Sequence, residues 1–196
     1  MGTKGATGDR TTAAIFGQFN SLINPPETTA FTFQNNTTAK QVYGIVLNRA
    51  RIREAIEPGG WEVHLSASAG GAIKLIDDSS TNKGGNTNQR NFAPEYNVVS
   101  GTLVGGVTIN TAASAEDSTM GSYGTFYPNL GVIILNPERL SGAPLGLLTA
   151  SGSNTDSRNN RLFYNSITTG KYFQMKRKEE ITSTHYFVRA TANDFN

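Results

Sequence analysis

The stretch Gly121-Ser-Tyr-Gly-Thr-Phe-Tyr-Pro-Asn-Leu-Gly-Val-Ile-Ile-Leu-Asn-Pro137 decides the fold of this chain. Its second half, Val132 to Leu135, is a dense β-branched run closed on both sides by turn residues, and such a run is typical of a buried strand. Its first half, Tyr123 to Tyr127, alternates aromatic and small residues, as a strand can. Pro128 and Asn129 lie between the halves, and both residue types favour turns. The stretch therefore predicts a central β-hairpin, and nothing in it indicates catalysis.

Composition and charge restrict the classes of function open to the chain. Its 196 residues include 17 basic and 15 acidic residues, a net charge of +2, so charge gives no general argument for nucleic-acid or anionic-membrane binding. Cysteine is absent and only two histidines are present, which excludes a disulfide framework and leaves too few ligands for most zinc or iron centres. No apolar run reaches the roughly 18 residues of a membrane span, and Met1 to Arg10 carries no apolar signal region. We therefore expect no metal, no cofactor, and neither a membrane nor a nucleic acid as a partner.

The distribution of apolar residues predicts the fold class. The apolar content of 37%, with many Gly, Asn, Ser and Thr residues, favours short strands and long polar loops. We predict a mainly β protein, either a β-sandwich or a mixed β-rich domain with long polar loops, a short N-terminal helix and a flexible N-terminal arm. Residues 1–12 are assigned to the arm, 13–40 to an N-terminal extension of helix and strand, and 41–196 to the β-rich core domain. Strands are predicted at 28–33, 42–47, 61–65, 72–76, 96–100, 102–109, 162–166, 173–176 and 184–192, with 72–76 as the hairpin partner of 61–65. Helical segments are predicted at 13–23, 48–57 and 137–140, a turn at 58–60, and turn or bulge points at 101 and 105–106.

Residues 44–52 and 132–140 share a short pattern: a strand, then Leu-Asn, then a charged turn that ends in Arg and an aliphatic residue. The likeness is much shorter than a structural repeat, so chance is the favoured explanation. If the likeness is real, the same strand-to-turn connection occurs at two places in the chain.

Few residues near the predicted strands are candidates for a catalytic, metal-binding or phosphate-binding site. Asp77 and Asp78 are adjacent hard oxygen ligands that could hold a divalent cation, although a solvated turn after a strand is the favoured interpretation. His64 alternates with apolar neighbours and is expected on the opposite face, either exposed or at an interface. A catalytic role is disfavoured for His64, and equally for His185, which begins a predicted strand beside Tyr186. Gly170-Lys171 lacks both the preceding glycine and the following hydroxyl of a phosphate-binding loop, so that motif is rejected.

One basic cluster stands out near the end of the chain. Its cations are interleaved with two aromatic residues, and the cluster comprises Lys171, Tyr172, Phe173, Lys176, Arg177 and Lys178. Basic residues among aromatics can bind single-stranded nucleic acid. Because Glu179 and Glu180 cancel part of the charge, an edge strand protected by lysines against aggregation is the favoured interpretation.

Four segments resemble virion structural proteins of contractile-tailed bacteriophages: Glu57-Pro-Gly-Gly-Trp-Glu-Val63, Ile73-Lys-Leu-Ile-Asp-Asp-Ser-Ser80, the run 124–137, and the run 183–196. The resemblance covers about residues 40 to 196. It implies a non-enzymatic structural subunit, of the tail or baseplate, that is made in the host cytoplasm and resides in the virion. It also implies assembly with other virion structural proteins in a homo- or hetero-oligomer. In the proteins it resembles, Asn193-Asp-Phe-Asn196 continues into further sequence, so we expect a fragment, or a short version whose last strand is completed by a neighbour.

The aromatic residues define the candidate interface and the alternative function. The candidate interface residues are Trp61, Tyr123, Phe126, Tyr127 and Tyr186. For Tyr123, Phe126 and Tyr127, packing within the fold is the alternative role. The alternative is a carbohydrate- or receptor-binding β-sandwich module in which exposed Trp61, Tyr123 and Tyr127 stack on sugars. Exposure of Trp61 discriminates between the two. An enzyme on a β scaffold is a third hypothesis, but it requires converging carboxylates or a histidine that the sequence does not indicate.

Overall fold

A single curled sheet is the framework of the protein in the computed structural model, which describes residues 9–25, 27–34, 38–67, 70–87, 94–109, 121–148, 158–179, 181–187 and 189. The helices are α1 (Asp9–Ile23), α2 (Arg49–Ile52) and α3 (Arg158–Gly170), with a 3₁₀ turn at Glu138–Leu140. The strands are β1 (Phe31–Thr32), β2 (Thr38–Ala39), β3 (Tyr43–Val46), β4 (Ala55–Ser66), β5 (Ala72–Asp77), β6 (Asn86–Thr87), β7 (Pro94–Thr102), β8 (Thr108–Ile109), β9 (Gly124–Tyr127), β10 (Val132–Leu135) and β11 (Phe173–Lys178).

The main sheet has nine strands in the order β11-β4-β5-β7-β9-β10-β3, and β6 and β8 also pair with β7. Every pairing is antiparallel, and β1 and β2 form a separate two-stranded sheet. The mainly β class is confirmed, in its mixed β-rich form. None of the helices in the described ranges combines the length and apolar character needed to cross a membrane.

The predicted hairpin exists as β9 and β10, in a register that places Phe126 opposite Ile133. All four residues of β10 are buried because both faces of this part of the sheet are covered. Ile133 and Leu135 belong to the larger hydrophobic core, whereas Val132 and Ile134 belong to a second core on the other face. This two-sided burial explains the uninterrupted β-branched run. The hairpin is not central, however, because β10 is second from the sheet edge and β7 occupies the middle.

The two cores are built from different parts of the chain. The larger core is covered by α3, α2 and the segment after β10, which contribute Phe163, Ile52 and Leu140. The second core lies beneath α1 and the β1–β2 pair, which contribute Ile23 and Phe31. Residues 9–12 are helical, so α1 begins inside the range predicted as a flexible arm, and residues 1–8 lie outside the described residues.

One predicted strand, 162–166, is wrong: these residues lie within the helix α3. Asn159, Phe163 and Ser166 are its buried residues, and their spacing of four and three follows one helical face. Two of these three residues are polar, so the apolar residues of 162–166 do not show helical spacing and resemble those of a short strand. Tyr164 lies on the exposed side.

Four further predictions differ from the structure in whole or in part. The helical prediction 48–57 holds only for α2, and the predicted turn at 58–60 lies within the twelve-residue strand β4. The predicted break at Gly101 is absent, since β7 runs continuously through it. Of the strand predicted at 184–192, residues 184–187 and 189 contain no regular structure, and the others lie outside the described residues. The hairpin of β4 and β5 and the helical turn after Pro137 are confirmed.

The short pattern shared by 44–52 and 132–140 corresponds to a shared structure. Strands β3 and β10 pair with each other. After β3, Asn48 Oδ1 accepts a hydrogen bond from the Ala50 amide at 2.9 Å, and after β10, Asn136 Oδ1 accepts one from the Glu138 amide at 3.0 Å. The same Asn-capped turn therefore follows both strands.

Candidate interaction surface

Four of the five predicted interface residues are buried within the chain. Trp61 is 1% exposed, and Tyr123, Phe126 and Tyr127 are also buried. They belong to the two hydrophobic cores, so packing is the role the structure gives them, and none is available as a contact surface of the single chain. Only Tyr186 is exposed, at 87%.

The buried aromatic residues contact one another around Phe126. The ring centroids of Trp61 and Phe126 are 5.5 Å apart, and those of Tyr96 and Phe126 are 6.3 Å apart. The Arg139 guanidinium lies 4.3 Å from the centroid of the Tyr123 ring, a cation–π contact. Burial raises the pKa of the Tyr127 hydroxyl above its ordinary value. These contacts fix the aromatic side chains as structural members of the fold.

Strand β11 lies at one edge of the main sheet, as the lysine-protected interpretation predicted. Its inner side pairs with β4, and the Tyr172 carbonyl accepts a hydrogen bond from the His64 amide at 3.0 Å. Because backbone groups alternate along a strand, the amides and carbonyls of Phe173 and Met175 point away from β4. The basic side chains Lys176, Arg177 and Lys178 are exposed. The described residues thus present an open, basic strand edge.

The chain then continues into a segment whose apolar side chains are almost fully exposed. Ile181 is 83% exposed and Phe187 is 97% exposed, and no helix or strand includes residues 181–187. Phe173, at the start of β11, is also 43% exposed. Glu179 lies between strand and segment and binds Arg53 at 2.5 Å. We call β11 together with 181–187 the edge surface.

Strand β4, which pairs with the edge strand β11, carries a buried carboxylate. Glu62 is fully buried, and its Oε1 lies 2.5 Å from His64 Nε2. Since an ionised carboxylate only accepts hydrogen bonds, Nε2 carries the proton. The His64 ring stacks on Tyr172 with centroids 4.4 Å apart. His64 is therefore on the face opposite Trp61, as predicted, but it is partly buried and paired.

The β7–β8 hairpin covers Glu62 from the other side. The Leu103 amide donates to Glu62 Oε2 at 2.7 Å, and the Thr102 hydroxyl donates to Oε1 at 3.1 Å. The strand reaches this position through Gly101, where a Cβ would lie 2.5 Å from the Thr108 carbonyl oxygen. Burial tends to raise the pKa of Glu62, but the hydrogen bonds from His64, Leu103 and Thr102 outweigh it, and the pKa is lowered. The sequence gives a single indication of this buried carboxylate, namely that Glu62 and His64 alternate with apolar residues and so share one face of a strand.

The adjacent carboxylates of Asp77 and Asp78 accept hydrogen bonds from backbone amides. Both Asp77 oxygens accept from the Gly59 amide, at 2.9 and 2.8 Å, which holds the irregular part of β4 in place. Asp78 accepts from the amide and the side chain of Asn97, at 3.0 and 2.8 Å. Burial and the neighbouring Asp77 charge raise the pKa of Asp78. These carboxylates are committed to structure, and no group of three or more potential metal ligands occurs among the described residues.

Comparisons of the chain with protein-family models, with curated proteins and with solved structures found no match. The residues and contacts above are therefore the basis for assigning a function.

Proposed function

We propose that this chain is a non-enzymatic structural subunit of a bacteriophage virion, of the tail or baseplate, that acts by protein–protein assembly. The observation that carries the proposal is the edge surface. It combines an open strand edge with a segment whose large apolar side chains are in water. Both features favour contact with another protein chain.

The energetics of segment 181–187 favour a bound state. Fully burying a side chain such as Ile or Phe contributes roughly 1.5–3 kcal/mol relative to leaving it exposed. Ile181, Tyr186 and Phe187 are each more than four-fifths exposed, so nearly all of this free energy is available on docking. Ordering the segment costs part of it, as in other segments that fold on binding. A virion interface would supply the apolar surface that the single chain lacks.

The carbohydrate-binding alternative loses its main support. It requires exposed aromatic rings, yet Trp61, Tyr123 and Tyr127 are buried. Stacking a sugar on Trp61 would require opening the core against Phe126, its neighbour in the larger hydrophobic cluster. No described observation favours this function over assembly.

The proposal is tested by mixing the purified chain with the tail and baseplate proteins of the phage that encodes it. Analytical ultracentrifugation should show a complex larger than either component, and antibodies against the chain should label purified tails in electron micrographs. A chain that forms no complex with any of these proteins and labels no particle would overturn the proposal.

A further inference from the structure

We propose that the edge surface is an exchange interface, in which segment 181–187 of one copy adds as an antiparallel strand to the outer edge of β11 of a second copy, and the reverse. This inference rests on the proposed assembly function and names one partner for it, a second copy of this chain.

The composition of the segment is the first support. Five of the seven residues of Ile-Thr-Ser-Thr-His-Tyr-Phe, 181–187, are β-branched or aromatic, the types enriched in strands. In the single chain the segment nevertheless forms no strand and its side chains are exposed. An extended segment of this kind can add as a strand to an exposed sheet edge, where main-chain hydrogen bonds supply the affinity.

The outer edge of β11 is the second support. Phe173 and Met175 direct their backbone amides and carbonyls outward, because Tyr172 directs its carbonyl toward β4. Phe173 remains 43% exposed, and Met175 is packed only partly against the larger core. An added strand would satisfy the backbone groups and cover both side chains.

A symmetric register brings complementary side chains together. If Phe173 lies opposite Phe187 of the second copy, then Gln174 lies opposite its Tyr186, and Met175 opposite its His185. The Phe–Phe pair extends the larger core across the interface, and aromatic cross-strand pairs stabilise antiparallel sheets. The relation is isologous, so both copies make the same contacts and the assembly closes as a dimer.

The charges agree with this register. Continuing the same alignment places Lys176, Arg177 and Lys178 opposite three hydroxyl residues of the second copy, namely Thr184, Ser183 and Thr182. No like charges face each other directly. The basic residues still protect the edge against pairing with another β11, because that arrangement concentrates six cations in one place.

The register is tested by disulfide cross-linking, which is clean here because the chain contains no cysteine. One protein carries Gln174→Cys and a second carries Tyr186→Cys. The two positions form a non-hydrogen-bonded pair in the proposed register, with Cα atoms about 4.5 Å apart, within disulfide range. Mild oxidation of the mixture should give a disulfide-linked heterodimer as the main product. The matched control replaces Tyr186→Cys by Thr182→Cys, which the register places four residues further along and which should cross-link at least tenfold less.

Each result decides the proposal. Preferential linkage of the 174 and 186 positions between chains supports it. Equal linkage in the control, or no linkage with a monomeric mass in ultracentrifugation, overturns it. A single chain carrying both cysteines that closes on itself also overturns it, because the segment then folds back on its own β11.

A second variant tests the interface without cysteine. Phe187→Asp should convert the dimer to a monomer, while Val104→Asp, at an exposed residue of the β7–β8 hairpin, should leave the mass unchanged. Fluorescence of Trp61 reports that both variants fold. A wild-type monomer that still binds other virion proteins overturns the exchange interface alone, and the proposed function stands.

Discussion

Replacing Glu62 by alanine removes the hydrogen-bond acceptor that joins strand β4 to the β7–β8 hairpin. The carboxylate accepts from His64 Nε2, from the Leu103 amide and from the Thr102 hydroxyl, at 2.5, 2.7 and 3.1 Å. A hydrogen bond to a charged group contributes about 1.5–3 kcal/mol, and each buried donor left without its acceptor costs about 1–3 kcal/mol. Because the three bonds share one carboxylate, they are not additive. We expect Glu62→Ala to lower the free energy of unfolding by about 3–5 kcal/mol.

The assay is urea unfolding followed by Trp61 fluorescence, since this single tryptophan is buried beside Phe126. Glu62→Gln keeps the shape but replaces one acceptor oxygen with a donor, so we expect a loss of about 1–3 kcal/mol. Glu57→Gln is the matched control, because Glu57 lies on the same strand and is exposed. Its change should stay within about 0.5 kcal/mol. A Glu62→Ala variant within 1 kcal/mol of wild type, on the order of one ordinary hydrogen bond, would refute the reasoning.

The same carboxylate predicts a pH dependence. Its pKa in the folded chain is lowered from 4.5, so the folded state holds its proton less tightly than the unfolded state. The contribution of Glu62 to stability is therefore fully present above the unfolded pKa and is lost as pH falls through the folded pKa. In urea titrations at several pH values, the difference in unfolding free energy between wild type and Glu62→Gln should shrink as the pH falls below the unfolded pKa of 4.5. A difference that grows as the pH falls below 4.5 contradicts this assignment.

Three further predictions concern the core and the hairpin. Gly101→Ala should destabilise by about 1–3 kcal/mol in urea unfolding, because its Cβ would lie 2.6 Å from Ile76 Cδ1. Phe126→Ala should cost about 3–5 kcal/mol in the same assay, since the ring is fully buried between aromatic neighbours. Trp61 emission should not respond to added saccharides or to iodide, because the indole is buried, and quenching by either would contradict its place in the core.

Two exposed positions serve as controls for these changes. Gly84 has no atom within 4 Å of an added Cβ, so Gly84→Ala should change stability by less than about 0.5 kcal/mol. Val104 is largely exposed, and Val104→Ala should be equally mild. Equal losses in Gly84→Ala and Gly101→Ala would contradict the close packing around Gly101.

The parts of the fold that were predictable are those in which local pattern and tertiary burial agree. The run Val132 to Leu135 is apolar at every position because both faces of β10 are covered. Trp61, Val63 and Leu65 alternate with polar residues because only one face of β4 meets the larger core. The helix α3 was not predictable in this way. Polar Asn159 and Ser166 occupy its buried face, so the apolar residues that remain suggest a strand.

The burial of Glu62 and of the candidate aromatic residues also depends on tertiary contacts that local sequence does not reveal. A glutamate that alternates with apolar residues indicates a solvent face, and Glu62 is buried only because a hairpin forty residues later folds over it. The aromatic residues Tyr123 and Tyr127 lie beside turns, where sequence does not separate a core residue from an interface residue. Only the burial of each ring decides between these roles.

The hydrogen bonds from Gly59 to Asp77 have a consequence for the order in which the sheet comes apart. The irregular stretch of β4, where the register with β11 shifts between Met175 and Arg177, is held by Asp77 of β5. Detachment of β11 would therefore leave β4 anchored to its inner neighbour. Regions with few buried contacts open first in native-state fluctuations. The side chains of segment 181–187 are exposed, so this segment can change its position while β11 stays paired with β4 and the sheet stays folded.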